Sequence, residues 1–93
     1  MTKKEEAPLD LVIVRSLLID IFGRYGIDNY FDSTSRPIAA TMYEQWQHRV
    51  SVELHHKGLI PEVYEAKDCR EMSEYDATVY INNKFLRDYD DYR

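Results

Sequence analysis

Along the first third of the chain, apolar side chains recur at three- and four-residue spacing. Leu11, Val14, Leu18, Phe22 and Tyr25 form one stripe, and Val12, Ile13, Leu17, Ile19 and Ile21 widen it. That period is helical. Pro8 suits the first turn, where its missing N–H leaves no bond unmade. Gly23 and Gly26 mark the end. Asp20 and Arg24 stand four apart with the acid first, the better order on a helix. A helix apolar over most of its circumference is the centre of a core or half of a dimer interface. In 93 residues the core is the stronger expectation, and a homodimer through residues 9–25 is the alternative.

A second helix is predicted from Ser35 or Arg36. Asp32-Ser33-Thr34-Ser35 is a cluster of capping residues, and Pro37 follows it. Ile38, Met42, Trp46, Val50 and Leu54 step by four, with Ala39 and Tyr43 beside them, so this stripe, Trp46 included, is expected to face the core. Glu44–His48 and Glu53–Lys57 are spaced as i,i+4 pairs. His55, His56 and Lys57 fall in the last turn, where positive charge suits the dipole, and Gly58 suits the left-handed position after it. The predicted span is about 36–57, with a break allowed near Met42–Glu44.

Beyond Gly58 the period is lost. Leu59-Ile60-Pro61 turns the chain, and residues 62–66 suit a short helix or a strand. Ala77-Thr78-Val79-Tyr80-Ile81 has high β propensity. Past Asn82-Asn83, a stripe of Ile81, Phe85, Tyr89 and Tyr92 reads as helical again. The predicted fold is therefore mainly α: three to four helices in one small domain, 1–93, with 1–7 a frayed lead and with room for a C-terminal β-hairpin. An α+β, winged-helix-like fold is the alternative. The apolar fraction of 44% is clustered and periodic, which separates the chain from disordered sequences.

Charge changes the picture most. From Gly58 to Arg93 there are nine acids against five bases, so this segment holds −4 of the total −5. Tyr64, Tyr75, Tyr80, Tyr89 and Tyr92 lie among those charges. Glu62, Glu65, Asp68, Glu71 and Glu74 fall every third residue, a spacing that gathers on one face of neither helix nor strand. If this segment is regular, its acids ring a solvated protrusion. Lys3 and Lys4 before an apolar stretch resemble the start of a signal peptide. Acids follow them, however, and Asp10, Arg15 and Asp20 break the stretch, so a cytoplasmic, non-membrane protein is expected.

Candidate chemistry is sparse. Cys69 is the one cysteine, which excludes an intrachain disulfide; it is expected to be partly exposed, with only Arg70 nearby to activate it. His48 lies seven and eight residues from His55 and His56, two helical turns, too far for one zinc ion. Ser51 lies near His48 and His55 but in no nucleophile elbow. The glycines read as helix punctuation, so no phosphate loop is expected. Neither catalytic residues, a metal nor a cofactor is expected, and the chain is read as no enzyme.

Residues 50–60, Val-Ser-Val-Glu-Leu-His-His-Lys-Gly-Leu-Ile, resemble the end of a winged-helix recognition helix running into its first wing strand. That likeness implies a DNA-binding transcriptional regulator, with residues 62–66 and 77–82 as the hairpin and Gln45, Gln47, His48 and Arg49 set to read bases. The sequence departs from it in charge, since residues 62–76 carry six acids and two bases. Direct nucleic-acid binding is disfavoured for the same reason. The preferred expectation is a non-enzymatic protein-interaction module. It would be a small acidic inhibitor or regulator, a nucleic-acid mimic that binds a basic surface on a nucleic-acid-processing protein. Small motif-free accessory proteins of mobile elements are similar in size and charge. The expected contact surface is Tyr64, Glu71, Glu74, Tyr75, Asp88, Tyr89, Asp90 and Asp91.

Overall fold

Helix α1 starts where proline allows it. The Pro8 carbonyl accepts the Val12 N–H at 3.0 Å, and α1 runs Leu9–Phe22. It is the first of three helices among the described residues, 7–22 and 33–86, of a computed structural model. Leu11, Val14 and Leu18 are buried at helical spacing. The rest of the expected apolar girth is only partly covered: Ile13, Ile19 and Ile21 are half-buried, while Val12 and Leu17 are exposed, Leu17 by 54%. So α1 lies at one side of the core rather than at its centre. Residues 23–25, the end of the expected stripe, lie outside the described residues.

Helix α2, Arg36–His56, begins and ends as its sequence signals require. The Ser35 side chain caps it by accepting the Ile38 N–H, and Pro37 sits in the first turn. At the other end Gly58 has φ +73°. Its N–H goes to the His55 carbonyl, and the Leu59 N–H reaches back to Leu54, both at 3.0 Å. Those two bonds are the Schellman closure, which needs a left-handed residue where glycine stands.

The buried face of α2 differs from the expected one. Pro37, Ala39, Ala40, Tyr43, Glu44, Gln47 and Ser51 turn inward. Ile38 is 51% exposed, and Met42, Trp46 and Val50 only border the core. With Thr41, Gln45, Arg49 and Arg70, the residues Ile38, Met42 and Trp46 line an open hollow of about 290 Å³. The reason is pairing. Glu44, Gln47 and Ser51 of the inner face each find a partner on a neighbouring segment, which offsets the cost of burying them. Gln47, for instance, donates to buried Asp10 of α1 at 2.8 Å. Its amide oxygen has no partner among the described residues.

Helix α3, Glu74–Lys84, is capped by Ser73, whose side chain accepts the Asp76 N–H at 3.0 Å. It buries Ala77 and Ile81, and Phe85 follows at the same spacing. The residues expected as a second hairpin strand, 77–82, are thus helical, and residues 62–66 form no strand. Among the described residues there are three helices and no strand. The hairpin and the winged-helix arrangement are therefore not formed by those segments. The β propensity of Thr78, Val79 and Tyr80 is outweighed by the cap at Ser73 and the four-residue step Ala77–Ile81–Phe85.

The central helix α2 packs against both α1 and α3. Leu11, Val14, Leu18, Ala39, Ala40, Tyr43, Cys69, Ala77, Ile81 and Phe85 form one core. Tyr43 meets Phe85 edge-on with ring centroids 5.5 Å apart, a geometry that adds about 0.5–1.5 kcal/mol beyond burial. Arg15 of α1 donates to the Lys84 carbonyl at 2.6 Å, satisfying an acceptor in the last turn of α3. None of the described helices is long and apolar enough to cross a membrane.

Candidate functional site

Between Gly58 and Ser73 the chain is irregular, yet its backbone is firmly held. Five side chains of α2 hold it: Thr41, Glu44, His48, Ser51 and His55. Their spacing alternates three and four, which keeps all five on one face. Thr41 Oγ1 accepts the Cys69 N–H at 3.0 Å, and Glu44 Oε1 accepts the Lys67 N–H at 2.8 Å. Ser51 Oγ accepts the Tyr64 N–H at 2.8 Å, while His48 Nδ1 lies 2.7 Å from the Tyr64 carbonyl. A carbonyl oxygen only accepts, so this His48 nitrogen carries a hydrogen. His55 Nδ1 meets the Ile60 carbonyl at 3.2 Å. The partners descend from 69 to 60 as the helix positions rise from 41 to 55. The segment therefore forms a strap antiparallel to α2, its backbone polar groups met by side chains in place of a second strand.

Deeper in, Glu44 joins the strap to α3. Its carboxylate is fully buried, and its side chain accepts four bonds. Oε1 takes the Tyr64 hydroxyl at 2.6 Å and the Lys67 N–H; Oε2 takes the Tyr80 hydroxyl at 2.5 Å and the Lys84 ammonium. An ionised carboxylate offers about four lone-pair sites, and all are used here. Burial alone would push this carboxyl up, but hydrogen bonds from Lys84, Tyr64, Tyr80 and the Lys67 N–H hold it below its ordinary value. Burial and the adjacent carboxylate push both phenols well above the ordinary tyrosine range.

Cys69, expected to be partly exposed, is fully buried. Burial and then the Glu44 charge push its thiol up, away from a nucleophile. His48 and His55 serve the strap. Among the described residues no group of three or more metal-binding side chains converges. Gln47, offered above as a base-reading residue, is buried against Asp10.

With its backbone tied inward, the strap turns its acids outward. Glu62, Glu65, Asp68, Glu71, Glu74 and Asp76 are all exposed. Arg70 grips Asp68 through two nitrogens, at 3.0 and 2.7 Å, and those bonds hold the Asp68 carboxyl at about 2. Glu74 accepts the Arg36 N–H at 3.3 Å. The carboxylates of Glu62, Glu65, Glu71 and Asp76 have no hydrogen-bond or ion-pair partner among the described residues.

The expected contact residues separate into three groups. Glu71, Glu74 and Tyr75 are exposed, Tyr75 by 76%. Tyr64 is not on that surface: it is half-buried, its hydroxyl between Glu44 and Lys84. Asp88, Tyr89, Asp90 and Asp91 lie outside the described residues. The residues that sequence reasoning missed are Glu44, Tyr80 and Lys84. The signal available for them was the polar stripe Thr41–Glu44–His48–Ser51–His55, whose three-four alternation equals that of an apolar face. The chain matches no protein-family model, no curated protein and no solved structure.

Proposed function

We propose that this protein acts by binding: a non-enzymatic interaction module that presents an acidic strap to a basic surface on a nucleic-acid-processing protein, as an inhibitor or regulator. Three exposed strap carboxylates with no ion-pair partner among the described residues, Glu62, Glu65 and Glu71, on a segment that α2 tethers, carry this proposal, and Asp76 in the first turn of α3 adds a fourth. A pre-ordered ridge loses little conformational freedom on docking. Its field attracts a cationic patch and speeds encounter. The same field repels nucleic-acid phosphates. Tyr75 beside the ridge supplies the aromatic contact that interfaces favour. On the sequence reading, Asp88, Tyr89, Asp90 and Asp91 belong to the same proposed contact set.

The test is a triple variant, Glu62→Gln, Glu65→Gln and Glu71→Gln, which leaves every tether of the strap in place. Tagged wild-type protein is expected to recover a basic partner at low salt and to lose it progressively as salt rises. The variant is expected to recover several-fold less. Equal recovery by the two proteins, or tight binding of wild type to random duplex DNA at low salt, would overturn the proposal.

A further inference from the structure

The Lys84 ammonium sits among oxygens in a ratio that fits its chemistry. It has three N–H donors. Three acceptors surround it: Glu44 Oε2, the Tyr64 hydroxyl at 2.6 Å and the Tyr80 hydroxyl at 3.4 Å. Each phenol gives its own hydrogen to the Glu44 carboxylate and is left with lone pairs for the ammonium. The rings of Tyr64, Phe85 and Tyr80 have centroids 4.5, 5.0 and 5.7 Å from the nitrogen, inside the range of about 6 Å where ring and cation attract. The three acceptors come from three separate elements: α2, the strap and α3 itself.

We infer that these groups form a ligand site for a primary alkylammonium, with the chain's own lysine as its resident ligand. Each acceptor also has a hold other than the lysine. Glu44 is anchored by the Lys67 N–H. Tyr64 is anchored by both of its backbone groups. Tyr80 is carried on α3 and packs on Phe85. Removing the lysine stem therefore leaves a charged, shaped vacancy. A free amine of matching length satisfies it, donating three hydrogens where a quaternary ammonium has none. In the intact chain the tethered lysine outcompetes any free amine, because its effective concentration is high.

The experiment is chemical rescue of Lys84→Ala. That change removes Cγ, Cδ, Cε and Nζ, and n-propylammonium replaces those four atoms. Thermal unfolding is followed by circular dichroism at matched ionic strength. The expected result is a saturable rise in the variant's Tm, roughly 6–11 °C at ten times the ligand's Kd. No comparable rise is expected from propanol, potassium chloride or tetramethylammonium, or in wild type, or in the Glu44→Gln/Lys84→Ala double variant. If Lys84→Ala is unfolded alone, the same titration reads recovery of helical signal. A second readout uses the wild-type protein: ring currents should move the Lys84 ε-methylene protons upfield of other lysines in NMR spectra. The inference is overturned by an equal rise with propanol or potassium chloride, by rescue that survives loss of the Glu44 charge, by no rescue at all, or by ordinary ε-methylene shifts.

Discussion

Ser51 and Tyr64 show how the strap is held: Ser51 Oγ accepts the Tyr64 N–H at 2.8 Å and gives its own hydrogen to the His48 carbonyl at 2.7 Å. Ser51 is buried, so water cannot replace it without entering the core. Ser51→Ala is therefore expected to leave the Tyr64 N–H unpaired and to lower stability by about 1–3 kcal/mol. Hydrogen exchange separates this from general loosening. The Tyr64 amide should exchange faster relative to the amides of α1, and a uniform acceleration across the protein would contradict the tether.

The limits of α2 were legible in its sequence, and its orientation was not. Ser35, Pro37 and Gly58 act locally through one side chain, one ring and one backbone angle, so residue type alone announces them. Which face turns inward depends on partners elsewhere. Glu44 is buried because Lys84, forty residues on, reaches it. Gln47 is buried because Asp10 does. Hydropathy ranks Ile38, Met42 and Trp46 above them, since it values each side chain in isolation. The same blindness applied to Tyr64, read as a surface phenol among acids. The ridge of exposed acids was legible because charge needs no partner to stay in water.

Glu44 is expected to be the position least tolerant of change. A buried carboxylate with four donors leaves Lys84, Tyr64, Tyr80 and the Lys67 N–H unmatched when it is removed. Breaking one side of a buried ion pair costs about 3–5 kcal/mol. Glu44→Leu should therefore unfold at much lower urea concentration. Adding Lys84→Met should recover part of the loss, because the orphaned ammonium is removed. A double-variant cycle measures the coupling, and strictly additive losses would mean that the pair contributes nothing of its own.

Cys69 is expected to be inert in the folded protein. Its side chain is fully buried, and burial raises the thiol away from the reactive thiolate. Labelling by a thiol reagent such as iodoacetamide at neutral pH should be slow. It should reach one equivalent quickly in denaturant, since this is the one cysteine in the chain. A native labelling rate close to the denatured rate would mean that the segment carrying Cys69 opens freely from α2.

The Glu44 cluster predicts losses of stability at both ends of the pH scale. The folded protein holds the Glu44 carboxyl below its ordinary value. The stabilisation is complete above the unfolded carboxyl value, about 4.3, and is lost as pH falls through the lower folded value. The phenols behave in the opposite sense. Tyr64 and Tyr80 are raised when folded, so their contribution is intact below the unfolded value of about 10 and declines as pH rises beyond it. Urea unfolding from pH 2 to 11 should give a plateau with an acid and an alkaline limb. Other carboxyls share the acid limb, so the variants carry the assignment. Glu44→Gln should reduce its steepness, and Tyr64→Phe with Tyr80→Phe should flatten the alkaline limb. Limbs unchanged in those variants would place the titrating groups elsewhere in the protein.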